Sequence, residues 1–147
     1  MAIKGAVLGD ILGSQYEFNR PKNLDWQNIP LIIDDKAKFT DDSVMMLAIK
    51  KALVEDNDLV ETMVDVGQQY PFCGYGAKFF SWINWKKHQP YNSWGNGSAM
   101  RVAFVGDFYE DYDEMQAMAA KTAEVSHNHP EGIKGAVVTA TCIWMQC

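Results

Sequence analysis

The residues with the clearest capacity for chemistry are Thr40, Asp41 and Asp42, which precede Ser43 and an apolar run, VMMLAI, at 44–49. A helix over this run has no polar face, so its first turns are predicted to be buried on all sides. Thr40 is a good N-cap, and a carboxylate in the first turn suits the helix dipole. Two adjacent carboxylates, however, repel each other and are costly to desolvate, and a divalent cation bound by carboxylate and hydroxyl oxygens would relieve both costs. Helix capping and metal binding therefore remain two equal interpretations.

A second polar set lies near the start of the chain, where Asp10, Ser14 and Glu17 share one face of a helix predicted over 2–17. The ordinary interpretation of such a set is a solvated polar face. Three glycines on the same helix repeat every four residues, at Gly5, Gly9 and Gly13. This stripe predicts that another helix packs closely and brings the polar set near other elements.

A glycine-rich turn, WGNGSAMR, occupies 94–101. The glycines on either side of Asn96 allow the backbone to approach a ligand, and a helix beginning at Ser98 would turn its amides toward a phosphate. A tight turn with an N-cap uses the same residues. Arg101 is expected to pair with a phosphate or with one of the nineteen acidic side chains.

The segment SHNHP at 126–130 contains His127 and His129. Residues two apart do not share a helical face, and no third His or Cys ligand supports a zinc site. The segment is therefore either a capped turn between two helices or a place where a histidine donates a hydrogen bond to a substrate.

Helical periodicity dominates the chain, so an all-α fold is predicted. A long loop at 18–39 is a candidate functional segment, and 31–33 is a weak strand candidate. The predicted helices cover 2–17, 40–55, 58–70, 77–86, 98–108, 113–126 and the chain from 131 onward.

Composition limits the function classes. The 147 residues fit one domain, and a net charge of −6 without a basic cluster argues against nucleic-acid and membrane binding. Three cysteines without paired metal spacing predict reduced thiols and a cytoplasmic protein. The N-terminus is predicted to be neither a signal peptide nor a membrane span.

Together these segments resemble the ADP-ribosylglycohydrolase family. The matching segments lie in the family's order over nearly the whole chain: GAVLGDILGSQYE at 5–17, FTDDS at 39–43, GYG at 74–76, WGNGSAMR at 94–101 and SHNHPEGIKGA at 126–136. Ser43 stands where the family usually has Thr.

The resemblance implies an orthogonal bundle of helices that removes ADP-ribose from modified proteins or small molecules at a two-metal Mg²⁺ or Mn²⁺ site. By position, Thr40, Asp41 and Asp42 would be metal ligands, and Asp10 would be a supporting group behind them. Glu17 would be the catalytic carboxylate that activates water or contacts the ribose. The ADP-ribose cleft would be lined by Gly95, Asn96, Gly97, Ser98 and Met100, with His127 near the diphosphate or its ribose.

The sequence also departs from the family, because the late Gly-x-Asp-x-Asp-Thr motif that supplies the remaining metal ligands does not occur. We therefore expect 1–147 to be a single incomplete, C-terminally truncated domain that is weak or inactive alone. Apolar surface around 44–49 and 137–145 would then favour a homo-oligomer or a protein partner. The alternative is a non-catalytic protein-binding module or inhibitor built on the same fold.

Overall fold

The structure is a computed structural model and describes residues 2–18, 27, 35–85 and 87–146. Every regular element in these residues is helical, which confirms the predicted all-α fold. The helices are α1 (Ala2–Glu17), α2 (Asp41–Glu55), α3 (Leu59–Gln69), α4 (Ala77–Asn84), α5 (Ala103–Phe108), α6 (Tyr112–Glu124) and α7 (Pro130–Trp144), with a 3-10 turn at Asn96–Ser98. The strand candidate at 31–33 and most of the predicted loop lie outside the described residues. No described helix is long and apolar enough to cross a membrane.

Side-chain caps explain where several helices begin. The Thr40 hydroxyl accepts a hydrogen bond from the amide of Asp42 at the start of α2. Asp58 and Asp111 cap α3 and α6 in the same way, each accepting from an amide three residues later at 2.9 Å. Pro130 occupies the first turn of α7, where its missing N–H costs nothing. These starts agree with the predicted ones to within about one residue, because capping is encoded locally.

Helix α2 is central to the core, as its uninterrupted apolar run predicts. It contacts α1, α3 and α5, and within 44–49 only Leu47 is exposed. Leu47 is 47% exposed and lies beside the exposed Phe39 ring, so some apolar surface remains around this run. Helices α6 and α7 pack through small residues that are fully buried, namely Ala119, Ala123, Ala136 and Ala140.

The glycine stripe of α1 does not mark a close helix contact within the described residues. A Cβ built at Gly5, Gly9 or Gly13 would meet no described atom within 4 Å. The helix instead packs through Ile3, Ala6 and Val7 against a small cluster on α2 and α5. Close approach occurs at Gly106 of α5, where a Cβ would lie 2.5 Å from the carbonyl oxygen of Ala140 in α7.

The helix predicted over 98–108 is divided in two. Residues 96–98 form the 3-10 turn, and α5 begins only at Ala103. Three consecutive side chains, Arg101, Val102 and Ala103, are buried. Residues 99–102 therefore connect the 3-10 turn to α5 and are buried at their end.

Candidate functional site

Asp10 of α1 holds the beginning of α2. Its carboxylate accepts four hydrogen bonds, two from the Thr40 amide (2.8 Å) and hydroxyl (2.6 Å) and two from the Ser43 amide (3.2 Å) and hydroxyl (2.5 Å). Charge-assisted hydrogen bonds of this kind are among the strongest in proteins. With its oxygens occupied in this way, Asp10 is placed to support the residues that follow Thr40.

The Asp41 and Asp42 carboxylates stand side by side in the first turn of α2, and both are half-buried. Burial, followed by the neighbouring Asp42 carboxylate, raises the pKa of Asp41 to about 6. Burial and the charges of Asp10 and Glu17 also raise the pKa of Asp42. The site therefore concentrates negative charge, and among the described residues no lysine or arginine forms a salt bridge with either carboxylate.

The remaining polar residues of α1 face the same segment. The Ser14 hydroxyl accepts a hydrogen bond from the Lys38 amide at 3.0 Å, just before the Thr40 cap. Glu17 is exposed at the end of α1, and its charge contributes to the raised pKa of both Asp41 and Asp42. The structure thus brings the set near another element, as predicted, although the open glycine stripe is not the cause.

The turn between α3 and α4 closes one side of the carboxylate pair. The Asp41 amide donates to the carbonyl of Cys73 at 2.8 Å. Gly74 follows with φ of 98°, a conformation that favours glycine, and a Cβ there would lie 3.6 Å from the Asp41 Oδ1 atom. The turn therefore brings the chain beside the carboxylate.

A cleft of about 340 Å³ joins Asp41, one member of the carboxylate pair, to the glycine-rich turn and to the 126–130 segment. This volume lies in the range of small-molecule sites. Its lining includes Asp41, Gly95, Asn96, Gly97, Met100 and His127. The structure thus brings together residues from three of the sequence segments singled out above.

Ser98 lies behind the turn. It is buried, and its hydroxyl donates to the carbonyl of Gly132 in α7 at 2.7 Å. That bond ties the turn to the start of α7, and it directs the hydroxyl away from the cleft lining.

His127 is nearly fully buried against the glycine turn and between two aromatic rings. Its ring centroid lies 6.1 Å from that of Phe79 and 5.6 Å from that of Tyr91. A Cβ at Gly97 would lie 2.7 Å from His127 Nε2, so only glycine fits here without displacing the ring. Burial, and then the Arg101 cation, lower the pKa of His127 to about 4, which keeps the ring neutral at physiological pH. His129 instead caps α7, as its Nδ1 accepts from the Glu131 amide at 3.1 Å.

Sequence reasoning did not assign roles to several residues around His127. Phe79 and Tyr91 line the cleft, and Ser126 contacts the histidine. The sequence shows that the short helix at 77–84 is rich in aromatic residues, which include Phe79. Which way the Phe79 ring points, however, depends on tertiary packing. Arg101 forms no salt bridge with an acidic side chain among the described residues; it is fully buried and donates hydrogen bonds to Ser126 and to the carbonyl of Thr122.

Thr40, Asp41 and Asp42 are the described residues best suited to hold a divalent cation. Two carboxylates and a hydroxyl are hard oxygen donors of the kind that Mg²⁺ and Mn²⁺ prefer. Within the part of the chain that the structure describes, no three His, Cys, Asp or Glu side chains already converge as a metal-ligand group.

Comparison of the sequence with known proteins identifies the family of this helical chain. The chain belongs to the ADP-ribosylglycohydrolase family, whose sequence profile matches residues 1–146.

Among individual proteins, the chain is similar to the ADP-ribosylhydrolase ARH3 of Homo sapiens, with 28% identity over 172 aligned positions that cover 96% of this chain and 47% of the human protein. The ADP-ribosylhydrolase ARH3 of Mus musculus is also 28% identical, with 96% of this chain and 46% of the mouse protein covered. That of Gallus gallus is 25% identical, with 96% and 48% covered. The chain thus spans about half the length of the curated relatives that it matches.

Proposed function

We propose that this chain forms part of a metal-dependent site that hydrolyses ADP-ribose linkages in modified proteins or small molecules. The observation that carries the proposal is the cleft itself, which has the half-buried Asp41 carboxylate at one end and a glycine turn with a neutral histidine at the other. Such a cleft suits a ligand that combines ribose hydroxyls with a diphosphate. Family membership supports the same substrate class.

The carboxylate pair fits a divalent cation by the chemistry of its donors. Asp41 and Asp42 would be ligands, and Thr40 would add its hydroxyl oxygen. The raised pKa of both carboxyls indicates that two adjacent charges are unfavourable here without a counter-charge. When bound, Mg²⁺ or Mn²⁺ supplies a positive charge that orients and polarises the ribose hydroxyls.

The chain's own residues would carry out the other parts of the reaction. Asp10 keeps the ligands in place through its four hydrogen bonds to the start of α2. Glu17 would take a proton from a water that attacks the anomeric carbon; the bond from that carbon to the leaving group breaks, and the proton passes to the leaving group, so that free ADP-ribose results. His127 and the amides near Gly97 would hold the diphosphate, and Met100 would pack against the substrate.

The described residues offer three candidate ligand residues, Thr40, Asp41 and Asp42, for a two-metal site, so we expect the 147-residue chain by itself to hydrolyse slowly. Loose placement of the ribose forfeits part of the advantage of positioning, which is worth ~7–11 kcal/mol in a well-organised site. A release assay for free ADP-ribose on the purified chain tests this expectation. Turnover at ordinary enzyme rates would contradict it.

Metal binding is tested by thermal unfolding with Mg²⁺ or Mn²⁺. At ten times Kd, the metal should stabilise the fold by about 1.4 kcal/mol, which is roughly 3–6 °C in Tm. Asp41→Asn should abolish the gain. Asp113→Asn is a matched control, because Asp113 also lies in the first turn of a helix but is exposed and outside the cleft.

Ligand binding is tested by calorimetric titration with ADP-ribose in the presence of the metal. We expect binding that weakens in Gly97→Ala, because the added Cβ displaces His127. A chain that binds neither the metal nor ADP-ribose, yet associates with a protein, would favour the alternative of a non-catalytic binding module or inhibitor.

A further inference from the structure

A buried cation lies directly behind the cleft. Arg101 is 0% exposed and stacks over Phe79, with 5.7 Å from its Cζ atom to the ring centroid. Its Nη2 atom donates to the Ser126 hydroxyl at 2.9 Å and to the carbonyl of Thr122. Its Nε and Nη1 atoms have no hydrogen-bond partner among the described residues. Burial lowers the pKa of Arg101 to about 10, so the group is still charged at neutral pH. A buried charge without an opposite charge is costly, which calls for a role other than ion pairing.

The donors and acceptors around the Ser126 hydroxyl determine whether it donates a hydrogen bond to His127 or accepts one from it. Ser126 is 0% exposed, and its hydroxyl accepts from Arg101, since a guanidinium can only donate. The hydroxyl also has one hydrogen of its own, and a buried hydroxyl normally donates it. The acceptor that the described structure offers is His127 Nδ1, at 2.9 Å. Ser126 therefore donates to His127, and Nδ1 is the acceptor nitrogen.

The other ring nitrogen then carries the proton. A neutral imidazole has one N–H, so an accepting Nδ1 leaves the hydrogen on Nε2. The Nε2 atom faces the glycine turn, as the 2.7 Å distance to a Cβ built at Gly97 shows. Both residues line the cleft. Nε2–H is consequently a donor at the edge of the space that a ligand would occupy.

We propose that Arg101 is a positioning residue that acts through Ser126 to fix His127 as an Nε2–H donor toward the anionic part of the ligand. That the ligand is a diphosphate rests on the proposed function. The tautomer of His127 does not depend on it. The buried cation orients the Ser126 hydroxyl, the hydroxyl fixes the histidine tautomer, and the two aromatic rings fix the orientation of the imidazole.

The tautomer is measured by NMR of protein labelled with ¹⁵N in its histidine rings, from the two-bond couplings between ring nitrogens and ring protons. The signals of the other two histidines are assigned with His88→Gln and His129→Gln. In the wild type, His127 should be the neutral Nε2–H form at pH 7. In Ser126→Ala it should become a mixture with a substantial Nδ1–H population, because the donor to Nδ1 is lost.

Arg101→Met tests the cation, and Thr122→Val is its matched control. Arg101→Met should also give a mixture of tautomers, since Ser126 is then free to accept from Nδ1–H. Thr122→Val removes a hydroxyl from the same buried region but retains the main-chain carbonyl to which Arg101 donates, so the wild-type tautomer should persist. Where Arg101→Met does not fold, Ser126→Ala decides. An Nδ1–H form in the wild type, or an unchanged tautomer in Ser126→Ala, overturns the proposal.

Titration with ADP-ribose separates this inference from the proposed function. If wild type binds, Ser126→Ala should bind about tenfold more weakly, the loss expected for one ligand hydrogen bond. Unchanged affinity in Ser126→Ala together with an altered tautomer overturns the positioning role. Failure of the wild type to bind ADP-ribose contradicts the proposed function, while the NMR result still decides the tautomer.

Discussion

At the scale of single residues, Asp10 connects the first helix to the candidate metal ligands. Its two oxygens accept four hydrogen bonds from Thr40 and Ser43, residues 30 and 33 positions away in the sequence. Because this one carboxylate joins two helices, its loss should be felt both in stability and in metal affinity.

Asp10→Asn should lower the free energy of unfolding by about 2 kcal/mol, because an amide has one acceptor oxygen and turns its NH₂ group toward donors. The same variant should weaken the metal-dependent rise in Tm, as the start of α2 is less well held. Urea denaturation with and without Mg²⁺ measures both effects. Asp113→Asn, an exposed acid in the first turn of α6, serves as the control and should stay within about 0.5 kcal/mol. Equal stability of Asp10→Asn and the control would argue against the four-bond contact.

His127 should make the fold sensitive to acid. Its pKa in the folded state is about 4, below the 6.5 of a free histidine. The unfolded chain therefore binds a proton first as the pH falls, and the stability present above about pH 6.5 is lost progressively down to about pH 4. The contribution of this residue is up to about 3 kcal/mol.

Denaturation at a series of pH values measures this contribution. His127→Gln should remove most of the loss between pH 6.5 and pH 4. His129→Asn should leave it in place, because asparagine can still cap α7 and the buried ring is untouched. An identical acid dependence in the wild type and His127→Gln would contradict the assignment. Asp41, with its raised pKa, acts in the opposite sense, so the profile is to be compared between variants and not read from the wild type alone.

At the scale of helices, two glycines that each lie within an α-helix have different surroundings. Gly106 lies where α5 meets α7, with a Cβ position 2.5 Å from the Ala140 carbonyl and 2.9 Å from the Ile143 Cβ atom. Gly9 has open space within 4 Å among the described residues. Only the first is a close helix contact.

Gly106→Ala should therefore lower the free energy of unfolding by about 1–3 kcal/mol, since backbone must move to accept the methyl group. Gly9→Ala should raise it by up to about 1 kcal/mol, because alanine is the better helix former and meets nothing there. Thermal unfolding of the two variants beside the wild type tests both. A destabilising Gly9→Ala would show that something packs on the stripe after all.

At the scale of the whole molecule, apolar residues remain exposed near the end of α7. Val138 is 52% exposed and Met145 is 71% exposed, and Leu47 in the α2 run is 47% exposed. The 137–145 face is thus the more exposed of the two surfaces from which we expect association.

We predict that the 147-residue chain associates with itself as its concentration rises. The double substitution Val138→Lys with Met145→Lys should shift it toward the monomer, because two charges replace apolar contact area. Light scattering over a range of concentrations measures the mass. Asn57→Lys, at an exposed turn between α2 and α3, controls for added charge. A wild type that stays monomeric at every concentration would rule out this association.

Local rules were sufficient to predict much of the fold. The beginning of α2 follows from the Thr40 cap, and its burial follows from six apolar residues in succession. The α-helical class and the starts of α3 and α6 follow from periodicity and from single acidic caps. These features depend on residues within one or two turns of each other, so they are encoded in the sequence itself.

The roles of the other features were decided by the tertiary structure. That Asp10 holds Thr40 and Ser43, that Gly106 and not Gly9 marks a close contact, and that Arg101 lies buried behind His127 all depend on which helix faces meet. Periodicity shows that a helix has an apolar face, but it does not identify the partner of that face. A buried arginine, a glycine contact and a histidine tautomer are properties of packed neighbours that are far apart in the sequence, and only the packed structure brings them together.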